Sequence, residues 1–194
     1  MYWNKDTYLT TYPAVNVHAI VAQIRSSRLK VAYPETLANL VRLCYECALR
    51  AGELTGLSVG DAFIYRRAAV KDSLRLANRD IELSAEAKAT IMEQVSHLRK
   101  KHVLEASKPL FPDKNGKVYD LRLLRYHLLK ACPSRTLRFR IGEIRQAGIC
   151  KFYENVKASG FYPTTCLLRT AEFAGIRVWR TNLHPIVKRL INSR

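Results

Sequence analysis

The side chains of this chain that can do chemistry are mostly cationic. Lysine and arginine number 33 against 16 aspartates and glutamates in 194 residues, a formal net charge of +17. The excess is uneven: residues 1–97 carry +2 and residues 98–194 carry +15. A guanidinium grips two oxygens of one phosphate in a fixed fork and keeps its proton. Concentrated in half of a chain that is 48% hydrophobic, such charge belongs to a folded surface facing a polyanion. Nucleic acid is the leading partner and an anionic membrane surface a distant second. The thiols offer less. Cys44-x-x-Cys47 has the spacing of half a zinc site, but Cys132, Cys150 and Cys166 stand far apart and supply no second pair. At i and i+3 on an apolar stripe the pair reads as small core residues, so no metal and no cofactor is expected.

The elements that must carry these groups are mainly helical. Val17, Ile20, Val21 and Ile24 have helical spacing after Pro13, and Pro34-Glu35 opens a helix with Leu37, Leu40, Val41, Cys44 and Ala48 on one face. Gly52, Gly56 and Gly60 punctuate short helical turns. Residues 62–83 change period and predict strands with a hairpin around 71–78, Lys71 at its tip. Ser84 caps a helix whose stripe is Ala87, Ile91, Val95 and Leu98. The basic end of that helix suits a C-terminus. Asp120 caps another, with Leu121, Leu124 and Leu128 inward. A long helix follows Pro133, with Ile141, Ile144, Gly148, Phe152 and Val156 as its stripe. A shorter one runs to about Gly175, and a last basic helix starts near Pro185. The expected class is α+β, mainly α with one small antiparallel sheet. No apolar run approaches the ~20 residues of a membrane span. No secretory leader is visible at the start, and five cysteines, an odd number, favour a reducing interior.

Residues 49–61, Leu-Arg-Ala-Gly-Glu-Leu-Thr-Gly-Leu-Ser-Val-Gly-Asp, carry Leu49, Arg50, Glu53, Leu54, Leu57 and Asp61 at fixed spacing. The stretch resembles the first conserved box of the tyrosine recombinases, or phage integrases, L-R-x-x-E-L-x-x-L-x-x-x-D. Ile81-Glu82-Leu83 resembles the end of that family's sheet, and Leu110-Phe111-Pro112 its L-F-P. The resemblance spans about residues 35–190, the catalytic domain. It divides the chain into an extension, 1–33, and a recombinase-like domain, 34–194. In the family a tyrosine attacks a DNA phosphate, two arginines and a histidine or tryptophan neutralise the non-bridging oxygens, and a hairpin lysine protonates the leaving oxygen. The resemblance assigns Arg50 to the first arginine, Lys71 to the lysine and Arg145, in Gly142-Glu143-Ile144-Arg145, to the second arginine.

The departures lie toward the C-terminus. Gly142 stands where the second box has histidine, Ile176 stands in the L-G-H/W motif, and no tyrosine follows Tyr162. The expectation is therefore a recombinase fold that binds duplex DNA, a regulatory or architectural factor in a prokaryotic cytoplasm or nucleoid, phage- or plasmid-encoded in one variant of the reading. Catalysis would be lost, with Arg50, Lys71 and Arg145 vestigial. The side chains expected at DNA are Arg50, Lys71, Arg75, Arg138, Arg140, Arg145, Lys151, Arg177 and Arg180. Residues 164–180 also have a helix–turn–helix flavour. Several alternatives stay open. Arg50 could simply pair with Glu53, Arg145 could sit on a solvated face, and Lys71 could be a plain turn residue. Tyr162 or Tyr153 could act as a displaced nucleophile, His184 as a substitute one. The chain could also be an RNA- or ribosome-associated basic protein. Family members exchange a C-terminal segment between neighbours, which implies self-association after Pro185.

Overall fold

A computed structural model describes residues 15–27, 34–101, 103–132 and 139–176. Helix α2 (Pro34–Cys47) is the axis of the molecule. Thr36, Leu37, Ala38, Asn39, Leu40, Val41, Leu43, Cys44 and Cys47 are all buried, so most of its circumference faces protein. Three helices cover it: α1 (Val17–Ser26), α5 (Ala85–Lys100) and α7 (Ile141–Ala158). Helix α1 buries Val17, Ile20, Val21 and Ile24 in the same core as α2. The crossing of α7 over α2 is set at Gly148, where a Cβ would lie 2.1 Å from the Tyr45 carbonyl oxygen. Only a residue without a side chain allows that approach.

The two buried amides on α2 and α5 are matched. Asn39 Nδ2 donates to Gln94 Oε1 at 3.3 Å, and Gln94 Nε2 donates to the Leu110 carbonyl at 2.8 Å. That bond pins Leu110-Phe111 beneath α5 and satisfies a carbonyl that burial would otherwise strand. Ser84 caps α5 through the Ala87 N–H, and Asp120 caps α6 (Leu121–Ala131) through the N–H groups of Arg122 and Leu123. Among the described residues no helix is long and apolar enough to cross a membrane.

The architecture is mainly helical with small antiparallel sheets. Short helices α3 (Ala51–Gly56) and α4 (Val59–Ala62) lead to β1 (Phe63–Ile64), which pairs with β2 (Ala69–Val70) around a 3-10 turn at Tyr65–Arg67. Strands β3 (Ser73–Leu76) and β4 (Arg79–Glu82) form a hairpin in the register Leu74–Ile81 and Leu76–Arg79. Its tip is therefore Ala77-Asn78, not Lys71, which lies between β2 and β3. The polar Lys71-Asp72-Ser73 looks more like a turn, but Leu74 and Ile81 must both face the core and their pairing sets the register. Leu121 is also corrected. Its side chain is 50% exposed, and the inward face of α6 is Leu124, Leu128 and Ala131. Helix α8 (Pro163–Phe173) completes the described chain and stacks Phe173 on Phe152 of α7, centroids 4.0 Å apart.

Candidate functional site

Where α2 ends, Ala48 adopts a left-handed backbone with φ of 47°. That conformation costs a residue bearing a Cβ roughly 1–2 kcal/mol. It turns the chain sharply out of α2 and places Arg50 at the N-cap of α3. Glu53, one turn on, closes that helix start: its Oε2 accepts from the Arg50 N–H at 2.7 Å, and its Oε1 lies 3.6 Å from Arg50 Nη1. The fixed Arg and Glu of the box are thus a local unit, an N-cap contact and an ion pair together.

Three guanidiniums meet at this point. Arg50 Nη2 donates to the Gly175 carbonyl at 3.0 Å. Arg145, from the second turn of α7, donates from Nε to the Ala48 carbonyl at 3.0 Å and from Nη2 to the Ala174 carbonyl at 2.7 Å. The third is Arg79, which the sequence reading passed over. On β4 it points inward with Ile81, and its Nη2 donates to Ala48 O at 3.2 Å and to Glu53 Oε2 at 3.0 Å. The Arg79 side chain is only 3% exposed, whereas that of Arg50 is 46% exposed. The acceptors are carbonyls at the C-terminal ends of α2 and α8, where helix dipoles favour cations.

Three cations thus stand around one carboxylate, and the balance is not met locally. Burial, and then the neighbouring Arg50, pull the Arg145 pKa below its ordinary value. Burial does the same to Arg79, while Glu53 acts in the opposite direction. Gly175 makes the crowding possible. Its φ is +63°, and a Cβ there would lie 2.6 Å from Arg79 Nη1. Beside the cluster opens a cleft of about 800 Å³ between α6 and the start of α7, lined by Ala51, Leu124, Arg125, Leu128, Arg140 and Gly142 among others. A phosphate-sized anion reaching Arg50 would find a half-exposed fork backed by the partly buried Arg145 and the buried Arg79.

The other expected residues are placed differently. Lys71 is half-buried, donates its backbone N–H to the Ala62 carbonyl, and its ammonium makes no ion pair or hydrogen bond among the described residues. Arg75 stands 89% exposed on the hairpin, 3.9 Å from Asp80. Arg140 is the N-cap of α7 and borders the cleft. Lys151 is already engaged: Nζ contacts both Glu46 oxygens, at 2.7 and 2.9 Å, and lies over the Tyr45 ring. Arg138, Arg177, Arg180, His184 and the segment from Pro185 lie outside the described residues, as do the last four residues, 177–180, of the helix–turn–helix stretch.

Neither open tyrosine alternative comes to the arginines. Tyr153 is buried with Val156 and Cys166. Tyr162 is 81% exposed at the N-cap of α8. The arginines hold the other end of that 11-residue helix, roughly 16 Å away at 1.5 Å per residue. Gly142 faces open space, with nothing within 4 Å of a Cβ placed there, so its lack of a side chain is not a packing demand. Ile176 packs on Ala48, Ile149 and Ala174. Cys44 and Cys47 are core residues, and burial pushes the Cys47 thiol up to about 12. Among the described residues no group of three His, Cys, Asp or Glu side chains is arranged to hold a metal.

Comparison with known proteins gives the architecture a place. No protein-family model and no curated protein matches the sequence. Solved structures that share the fold include two recombinases. One is the XerH site-specific recombinase bound to its difH substrate in a pre-cleavage complex, with a TM-score of 0.58 and 12% identity over 91% of this chain. The other is the XerA recombinase, with a TM-score of 0.54 and 15% identity over 90% of this chain. The chain spans 49% of the length of the first and 59% of the second. The likeness is one of fold: a mainly helical domain with small antiparallel sheets, similar to the catalytic domain of tyrosine recombinases.

Proposed function

We propose that this protein binds duplex DNA, with Arg50 and Arg145 holding one backbone phosphate, and that it does so without cutting the strand. The observation that carries the reading is the meeting of these two guanidiniums on adjacent carbonyls, Gly175 and Ala174, with Glu53 as the only carboxylate bonded to the cluster among the described residues. The basic balance of residues 98–194 supports it, and so does a fold shared with a recombinase solved on its difH substrate. Phosphate contacts of this kind set affinity and register and carry no sequence information themselves. A regulatory or architectural factor is the role that fits a binder of this sort.

The loss of cleavage is supported by the same geometry. Strand transfer in the resembled family needs a nucleophile at the phosphate. Here Tyr153 is in the core and Tyr162 is at the far end of α8. Glycine and isoleucine at positions 142 and 176 have no side-chain group to donate to a phosphate oxygen.

Two measurements test this. Fluorescence anisotropy on a short duplex should show binding that weakens steeply between low and physiological salt, and structured RNA should compete less well than duplex DNA. Salt-indifferent binding, or a preference for RNA, would overturn the DNA half. A nicked suicide duplex should give no adduct on a denaturing gel, and a covalent protein–DNA band would overturn the non-cutting half. Self-association through the segment after Pro185 remains part of the proposal. Light scattering with DNA present should then show more than one protein chain per duplex after the DNA mass is subtracted, and a single chain with and without DNA would remove it.

A further inference from the structure

We propose that Arg79 is a positioning residue for the phosphate site, orienting Arg50 through Glu53 and Arg145 through the Ala48 carbonyl. The inference rests on the reading of Arg50 and Arg145 as phosphate ligands. Its basis is one nitrogen. Arg79 Nη2 donates to Glu53 Oε2 at 3.0 Å and to Ala48 O at 3.2 Å. Glu53 Oε2 is also the acceptor for the Arg50 N–H at 2.7 Å, and Ala48 O is also the acceptor for Arg145 Nε at 3.0 Å. Each of the two proposed ligands therefore shares one acceptor with Arg79, and Arg79 alone touches both acceptors among the described residues.

The rest of the side chain shows what this arrangement gives up. Arg79 Nε and Nη1 are buried without a hydrogen-bond partner. A buried donor left unmade costs on the order of 1–3 kcal/mol. A buried ion pair is often replaced by apolar side chains with no loss of stability. Stability alone is thus a weak reason for a guanidinium here. Its neighbours are fitted around it all the same: Gly175 leaves room where a Cβ would meet Nη1 at 2.6 Å. An acceptor held by two donors has less freedom than one held by a single donor. A phosphate ligand aimed by a fixed neighbour loses less freedom on binding than one that must be ordered. Arg79 itself, with a side chain 3% exposed, makes no contact with the anion.

The test is a pair of mutant cycles on duplex-DNA affinity at low salt, with circular dichroism melts as the folding control. Arg79→Met keeps an unbranched apolar stem and removes the donors. The expected result is a folded protein with about a tenfold loss of affinity, within the range coupled neighbours show. The same substitution placed in Arg50→Ala/Arg145→Ala should cost no further affinity, because the groups it positions are gone. A purely structural role predicts the opposite pattern: an equal loss in both backgrounds, or a shifted melt with affinity unchanged. Either would overturn the proposal. Should Arg79→Met not fold, Glu53→Gln asks the same question, since it removes the charge that Arg79 holds against Arg50. Its loss should likewise vanish in Arg50→Ala, and an additive loss would again count against positioning. Absence of salt-dependent binding by the wild-type protein would instead refute the DNA reading, and this inference with it.

Discussion

On the face of α2 toward α1 and α5, Arg25 and Arg42 meet Glu35 and Glu93. At its C-terminal end Arg50, Arg79 and Arg145 meet Glu53 as the one carboxylate among the described residues. The first group is balanced, two cations to two carboxylates, and partly exposed. Arg25 Nε lies 3.0 Å from Glu35, and both Arg25 and Arg42 bond to Glu93. Such pairs contribute about 0–1 kcal/mol each and need no ligand to complete them. The second group satisfies its surplus charge with carbonyl oxygens and leaves two Arg79 nitrogens unpaired. Residue type does not separate a structural arginine from a binding one. Under the proposed reading, the count of carboxylates around it does.

That contrast can be broken by substitution. Arg50→Ala/Arg145→Ala should lower duplex affinity by about a hundredfold, given roughly 1.5–3 kcal/mol for each hydrogen bond to a charged group. Arg25→Ala/Arg42→Ala should change it by less than about twofold, since exposed pairs away from the site affect binding little. Equal losses measured by anisotropy would erase the distinction between the two groups. Next in size is Gly175→Ala, expected to cost about 2 kcal/mol in a denaturant melt, from a left-handed φ and the collision with Arg79. Gly142→Ala, with open space around it, should leave stability the same or slightly higher.

A smaller effect separates the groups without DNA. Sulfate at ten times its dissociation constant should stabilise the wild-type protein by about 1.4 kcal/mol. Arg50→Ala should lose most of that response and Arg42→Ala should keep it. The smallest effect is expected at an ion pair whose carboxylate is almost fully exposed. The Lys88 ammonium, hydrogen-bonded to the Asp72 carboxylate, holds its pKa below the ordinary 3.8. A carboxylate with a lowered folded-state pKa adds stability above its unfolded value and loses it as pH falls through the folded one. Asp72→Asn should therefore shift a melt slightly near pH 7 and not at all well below pH 3.8.

The sequence carried the local features well. The stripes of α2 and α5, the Ser84 and Asp120 caps, and the Arg50–Glu53 unit depend on residues within one or two turns of each other. Features set by distant contacts were harder to see. Arg79 sits on a strand where a charged residue would ordinarily face water, and among the described residues Glu53 and Ala48, brought from α3 and the end of α2, accept its hydrogen bonds and hold it inside. The one hint was its alternation with Ile81 in β4. The neighbours of Lys71 look like a turn in the sequence, whereas the pairing of Leu74 with Ile81 puts the tip at residues 77–78. Leu121 fits the helical stripe, but it stands at the first turn of α6, beside the cleft rather than over the core.

The most direct test of the central claim is the salt dependence of duplex binding for three proteins: wild type, Arg50→Ala and Arg42→Ala. A lost phosphate contact reduces the slope of log K against log salt by about 1. The account predicts a wild-type slope several times that unit, a slope lower by about 1 for Arg50→Ala, and an unchanged slope for Arg42→Ala. Identical slopes for Arg50→Ala and wild type would contradict the claim that Arg50 holds a DNA phosphate.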